Sequence, residues 1–182
     1  MRAATTKLAA ALVAGSILTA GLGAYWLLLK PEQVLGGAVW QLVSYGFIET
    51  SPLAVMFSAV ILVSIGGALE SWWGTRRAVR FLVGVTVASG VVTTLLALPF
   101  STLRGAYFTG GGAMASAAWV AYGWSLGRSM TSFYGIAVTG NQLAAVGIGI
   151  VVMEGAFSSP VDVIPEAVAI ALTYLFVRRR RR

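Results

Sequence analysis

Six carboxylates and a scatter of hydroxyls are what this chain brings to acid–base or nucleophilic chemistry, because it contains neither histidine nor cysteine. Without imidazole, the commonest general base and metal ligand is missing. Without thiols there can be no disulfide and no thiolate metal site. The carboxylates are Glu32, Glu49, Glu70, Glu154, Asp162 and Glu166. Glu166 follows Pro165 at the expected start of a helix, where the dipole favours a carboxylate, and Asp162 could cap the same turn. Gly110, Gly111 and Gly112 form a triple glycine, but no Lys-Ser/Thr follows it as a phosphate loop would require. Asn141 and Gln142 could line a pore inside a membrane, although a loop or interface position suits them better. No cofactor and no metal is expected.

The elements that must hold these groups are set by composition. The chain is 58% hydrophobic and only 10% charged, with mean hydropathy +0.84, which places it among membrane proteins with the lipid bilayer as its partner. Net charge +7 might suggest nucleic acid, but five of those charges are the run Arg178 to Arg182. A basic tail after an apolar helix reads as a cytoplasmic anchor, so no nucleic-acid partner is expected.

One uncharged stretch organises the rest: Gly105 to Gly127, whose first two thirds are mostly Gly, Ala, Ser and Thr. As a helix it would reach about 34 Å, enough to span a bilayer core. Between Thr109 and Ala118 only Met114 has bulk, so neighbouring backbones could approach closely. Around it the hydropathy pattern gives an all-α polytopic protein forming one membrane domain over 1–182. Its expected spans are 8–29, 53–69, 78–100, 105–127, 134–153 and 165–177, with 30–51 an amphipathic interfacial loop and 178–182 a basic tail. The first run is longer than a signal-peptide core and ends in Tyr25, Trp26 and Lys30, so it is read as an uncleaved span.

Charge supports an even number of spans. With both termini cytoplasmic, Arg2, Lys7, Arg76, Arg77, Arg80, Arg128 and the five terminal arginines fall inside, while Lys30 and Arg104 stay outside. That is a strong positive-inside bias.

The stretch from Trp40 through Leu42, Ser44, Tyr45 and Phe47, followed by a helix ending Gly66-Gly-Ala-Leu-Glu70-Ser-Trp-Trp-Gly74-Thr-Arg-Arg, resembles the rhomboid family of intramembrane serine proteases. Those proteins carry a W-x-L-x-T/S-Y-x-F segment, a second helix ending G-x-x-L-E-x-x-x-G-S, and a small-residue fourth helix. The resemblance covers roughly Val39 to the C-terminus and implies a six-helix bundle. It also implies structural roles for Trp40, Glu70, Gly74, Arg76 and Arg77, with Glu70 pairing Arg76 or Arg77.

The catalytic positions depart from that family. Its serine nucleophile in G-x-S-G falls on Gly112, and its helix-six histidine falls on Glu166, give or take one residue. Its oxyanion pair, H-L-x-x-N in helix two, falls on Ala54 and Ser58. Ser116 lies one helical turn beyond Gly112, with Glu166 the nearest base, but a carboxylate of ordinary pKa is a poor base for a hydroxyl. Ser116 is better read as a packing residue. The expectation is a pseudoprotease, not an enzyme: a non-catalytic membrane protein that binds transmembrane segments or serves as a subunit of a membrane complex. The alternative is a divergent or residual intramembrane serine peptidase. With no serine to serve, the fourth helix is expected to close down on the second and sixth around Gly112. A bacterial inner membrane is the expected location.

Overall fold

The computed structural model describes residues 3–133 and 135–180; Arg2, Tyr134, Arg181 and Arg182 lie outside them. Six long helices dominate. They are α1 (Ala3–Leu22), α2 (Pro52–Trp73), α3 (Thr75–Ala97), α4 (Gly111–Leu126), α5 (Gly140–Phe157) and α6 (Ile164–Arg180). By length and hydropathy α2, α3, α5 and residues 4–22 of α1 could each cross a membrane.

Each boundary has a local cause. α1 stops at Gly23, whose φ of +63° breaks the helix, so the first span is shorter than 8–29 at its far end and starts earlier. Pro52 opens α2 at a position where its missing N–H costs nothing. α2 runs past Leu69 to Trp73 and contains a wide π turn at Leu62–Gly66. Gly74, at φ +83°, is the one residue between α2 and α3. α4 begins only at Gly111, because residues 106–110 are pulled straight: Phe108 exchanges backbone hydrogen bonds with Leu29 at 2.8 and 3.1 Å. The expected span 105–127 therefore loses its first turns.

The fifth span starts at Gly140, close to its polar interruption at Asn141 and Gln142, and the residues before it form an antiparallel hairpin, β1 (Met130–Phe133) with β2 (Ile136–Thr139), turned at Gly135 with φ +84°. The fold is thus not purely α. β-branched and aromatic residues flanking an x-Gly turn favour this pairing. α5 then starts with a capping box in which the Thr139 side chain accepts from the Gln142 N–H and Gln142 returns a bond to Thr139 N–H. Asn141 and Gln142 sit in the first turn of α5, at its entry rather than midway along it.

The 30–51 segment is a compact layer of short helical turns. Buried Gln41 ties it together, donating to Trp26 O and Gln33 Oε1 and accepting from Lys30 N–H at 2.7–3.1 Å. At the centre of the bundle stands α4, packed against α2, α3, α5 and α6. Its Ala113, Ala115, Ala117, Ala118 and Ala121 are buried, as are Met114 and Trp119.

Candidate functional site

The triple glycine marks where the bundle is crowded by side chains. A Cβ on Gly110 would strike the Tyr45 ring, one on Gly111 would meet Leu12 and Glu49, and one on Gly112 would strike the Glu166 carboxylate. Tyr45 is fully buried and its hydroxyl donates to the Thr86 carbonyl at 2.5 Å; burial pushes its pKa upward. Glu49 enters from the loop before α2, its own N–H donating to Ser16 Oγ at 2.9 Å. Its carboxylate accepts from the Gly112 N–H. It thereby satisfies a first-turn donor of α4 from outside the helix. Burial pushes the Glu49 carboxyl up to about 7, opposed by the Gly112 N–H and the Thr109 hydroxyl and reinforced by Glu154.

Beside this helix start lies a cavity of about 460 Å³. Its walls are Leu53, Ala54, Phe57, Ser58 and Ile61 from α2, Gly112, Ala115 and Ser116 from α4, and Ile150, Val151 and Glu154 from α5. Glu49 and Glu166 also line it. All four positions singled out by the resemblance, Ala54, Ser58, Gly112 and Glu166, thus face one space. The Ser116 hydroxyl donates to Glu166 Oε2 at 3.4 Å, longer than a well-made hydrogen bond between hydroxyl and carboxylate. The expected closure around Gly112 does not occur. Glu166 reaches into the place that a side chain at 112 would take, and the remaining volume stays open.

Trp119 stacks on Phe57, one of the cavity's walls. Its indole N–H donates to Leu143 O at 2.7 Å, and its ring lies 6.2 Å from Phe57 and 5.3 Å from Phe133. Above that layer α2 and α5 each rest on α4 and scarcely touch one another. The cavity lies between them, with Leu53 and Phe57 on the α2 side and Ile150 and Val151 on the α5 side; Leu53 and Phe57 are exposed.

Glu70, Gly74, Arg76 and Arg77 gather at the opposite end of the bundle, while Trp40 stays with the 30–51 segment. Glu70 is 3% exposed and accepts from Thr5 N–H (3.0 Å), Thr5 Oγ1 (2.8 Å) and Thr75 Oγ1 (2.8 Å). The expected pairing with Arg76 or Arg77 is not made. Threonine hydroxyls and the backbone already fill its lone pairs, and Arg77 instead lies 5.2 Å over the Trp73 ring. Gly74 makes the tight turn, and Trp40 donates to Trp26 O at 3.3 Å.

Sequence reasoning does not single out Glu49 or Glu154 as site residues. Their signal was present: ionisable groups are rare in this chain, and such groups bordering apolar helices mark sites by default. What the sequence lacked was their convergence, which depends on three separate chain segments.

Over residues 6–178 the sequence matches the family described as "Eukaryotic integral membrane protein (DUF1751)". No curated protein matches the chain. A membrane location follows, but the expected bacterial inner membrane is overturned, since the family is described as eukaryotic.

Proposed function

From a chain that belongs to this family of eukaryotic integral membrane proteins, we propose a six-span, rhomboid-like membrane protein with both termini cytoplasmic that acts without catalysis, by holding a transmembrane segment of a partner. The same contact would make it an accessory subunit of a membrane complex. The observation that carries this reading is the cavity between α2 and α5. Leu53, Phe57, Ile150 and Val151 give it apolar sides, and α4 contributes Gly112, Ala115 and Ser116. Small residues let a helix or extended segment approach the backbone closely, and apolar borders continue the bilayer into the site. At the closed end the carboxylates of Glu49 and Glu166 favour a segment that brings hydrogen-bond donors or a positive charge there.

The six-span reading is supported by the order of the six helices and by the distribution of charge. α4 and α6 are shorter than the other four, but α4 is enclosed by its neighbours and need not match the full bilayer. Reporter fusions after Arg182 and near Asp162 should report opposite sides of the membrane.

Photo-crosslinking residues placed at Phe57 and Ile150 test the binding role. One defined membrane-protein adduct at both positions, absent when the residue is placed at lipid-facing Leu95 on α3, is the expected result. Adducts indistinguishable from those at Leu95 would sink the proposal. The peptidase alternative draws on the Ser116–Glu166 contact. It requires labelling by a fluorophosphonate probe that disappears in Ser116→Ala, and none is expected.

A further inference from the structure

At the end of the bundle away from the carboxylates, three arginines surround a recess of about 290 Å³ whose remaining walls are Phe81 and Phe176. Arg76, Arg77 and Arg80 all come from the first two turns of α3, and all three are exposed. Phe81 packs at 4.9 Å from Phe176, and Trp73 closes the aromatic layer at 5.1 Å from Phe81. Three like charges held this close repel one another unless an anion joins them. Among the described residues no anion pairs with them, and the ion pair found is Lys30–Glu32, at the other end. Glu70, the one acid near these arginines in sequence, is turned away toward Thr5 and Thr75. The start of α3 adds its own positive end.

We propose that this recess binds the headgroup of an anionic glycerophospholipid. Guanidinium groups match phosphate oxygens in charge and geometry. The Phe81 and Phe176 rings offer apolar surface on which the first carbons of an acyl chain can rest, which a soluble phosphate would leave uncovered. Position agrees with this, because the recess sits where transmembrane helices end and headgroups begin. Arg178 and Arg179, near the end of α6, add positive charge at the same end of the bundle.

Native mass spectrometry of the detergent-solubilised full chain, offered equal amounts of phosphatidylserine and phosphatidylcholine, tests the assignment. One retained phosphatidylserine is expected, preferred at least about fivefold, a ratio set by the added electrostatic attraction of roughly 1 kcal/mol per basic residue near an anionic lipid surface. The preference should vanish in R76Q/R77Q/R80Q and persist in R104Q, whose substitution lies at the carboxylate end. The exposed positions leave the core untouched, and an unchanged melting temperature in phosphatidylcholine checks that the triple variant folds. Adding millimolar inorganic phosphate should leave the lipid bound. Equal retention of the two lipids, a preference that survives the triple substitution, or displacement by free phosphate would each overturn the proposal.

Discussion

The two ends of α4 use glycine for opposite purposes. At Gly123 the neighbours are main chain: a Cβ there would lie 2.7 Å from both Ala144 N and Gly140 O of α5. At Gly112 the neighbours are the tips of two glutamates, beside a cavity of about 460 Å³. The first is a helix–helix contact of the small-residue kind, in which two backbones touch and neither can retreat. The second is a clearing, kept free so that carboxylates can enter. Gly112 stands in a run of Gly, Ala and Ser, whereas Gly123 stands between Tyr122 and Trp124. What each glycine admits is set by the partner across the gap.

The sharpest way to break the comparison is substitution at the tight end. Gly123→Leu should cost about 3 kcal/mol, the upper part of the overpacking range, because the obstacle is backbone. A detergent melting temperature equal to wild type would mean that α4 and α5 are not in close contact. Titration probes the open end. A carboxyl raised from 4.5 to about 7 lets the folded protein keep a proton that the unfolded chain has released between those values. Stability should therefore fall as pH rises through that window, by about 3 kcal/mol for Glu49. Glu49→Gln should flatten the fall. Melting curves for both proteins between pH 4.5 and 8 decide it, and parallel curves would show that Glu49 is not buried as described.

Smaller effects sharpen the contrast. Thr5→Val removes one of the donors to buried Glu70 and should cost about 1 kcal/mol, read as a lower melting temperature. Gly112→Ala should cost only about 0.5 kcal/mol, because the Glu166 carboxylate can swing into the open volume. Should it instead match Gly123→Ala in cost, the clearing is as rigid as the helix contact and the comparison fails.

Much of this arrangement was legible in residue order. Helix positions followed from hydropathy, and the Gly74 turn followed from Trp-Trp-Gly-Thr before a basic run. The resemblance, carried residue by residue, picks out Ala54, Ser58, Gly112 and Glu166, and the structure places all four along one cavity that was expected to close. What stayed hidden depended on distant partners. The Leu29–Phe108 pairing that straightens residues 106–110 joins segments 79 positions apart. The hairpin at Met130–Thr139 was masked because its residues are as apolar as a span and differ from one chiefly in their alternation. The open cavity was missed because losing a nucleophile was taken to remove the need for space. Glu49 and Glu166 supply a different need, since two carboxylates pressed together without room would repel.

The single-residue joint at Gly74 has a mechanical meaning. α2 is fastened there to α3, and Glu70 ties the same point to α1 through Thr5, so this end of α2 is a fulcrum. The free arm is the 22-residue length from Trp73 back to Pro52, about 33 Å at 1.5 Å per residue. A tilt of about 10° about the joint would carry the far tip about 6 Å sideways on such an arm. That is more than half the diameter of a helix, obtained without breaking a contact at the pivot.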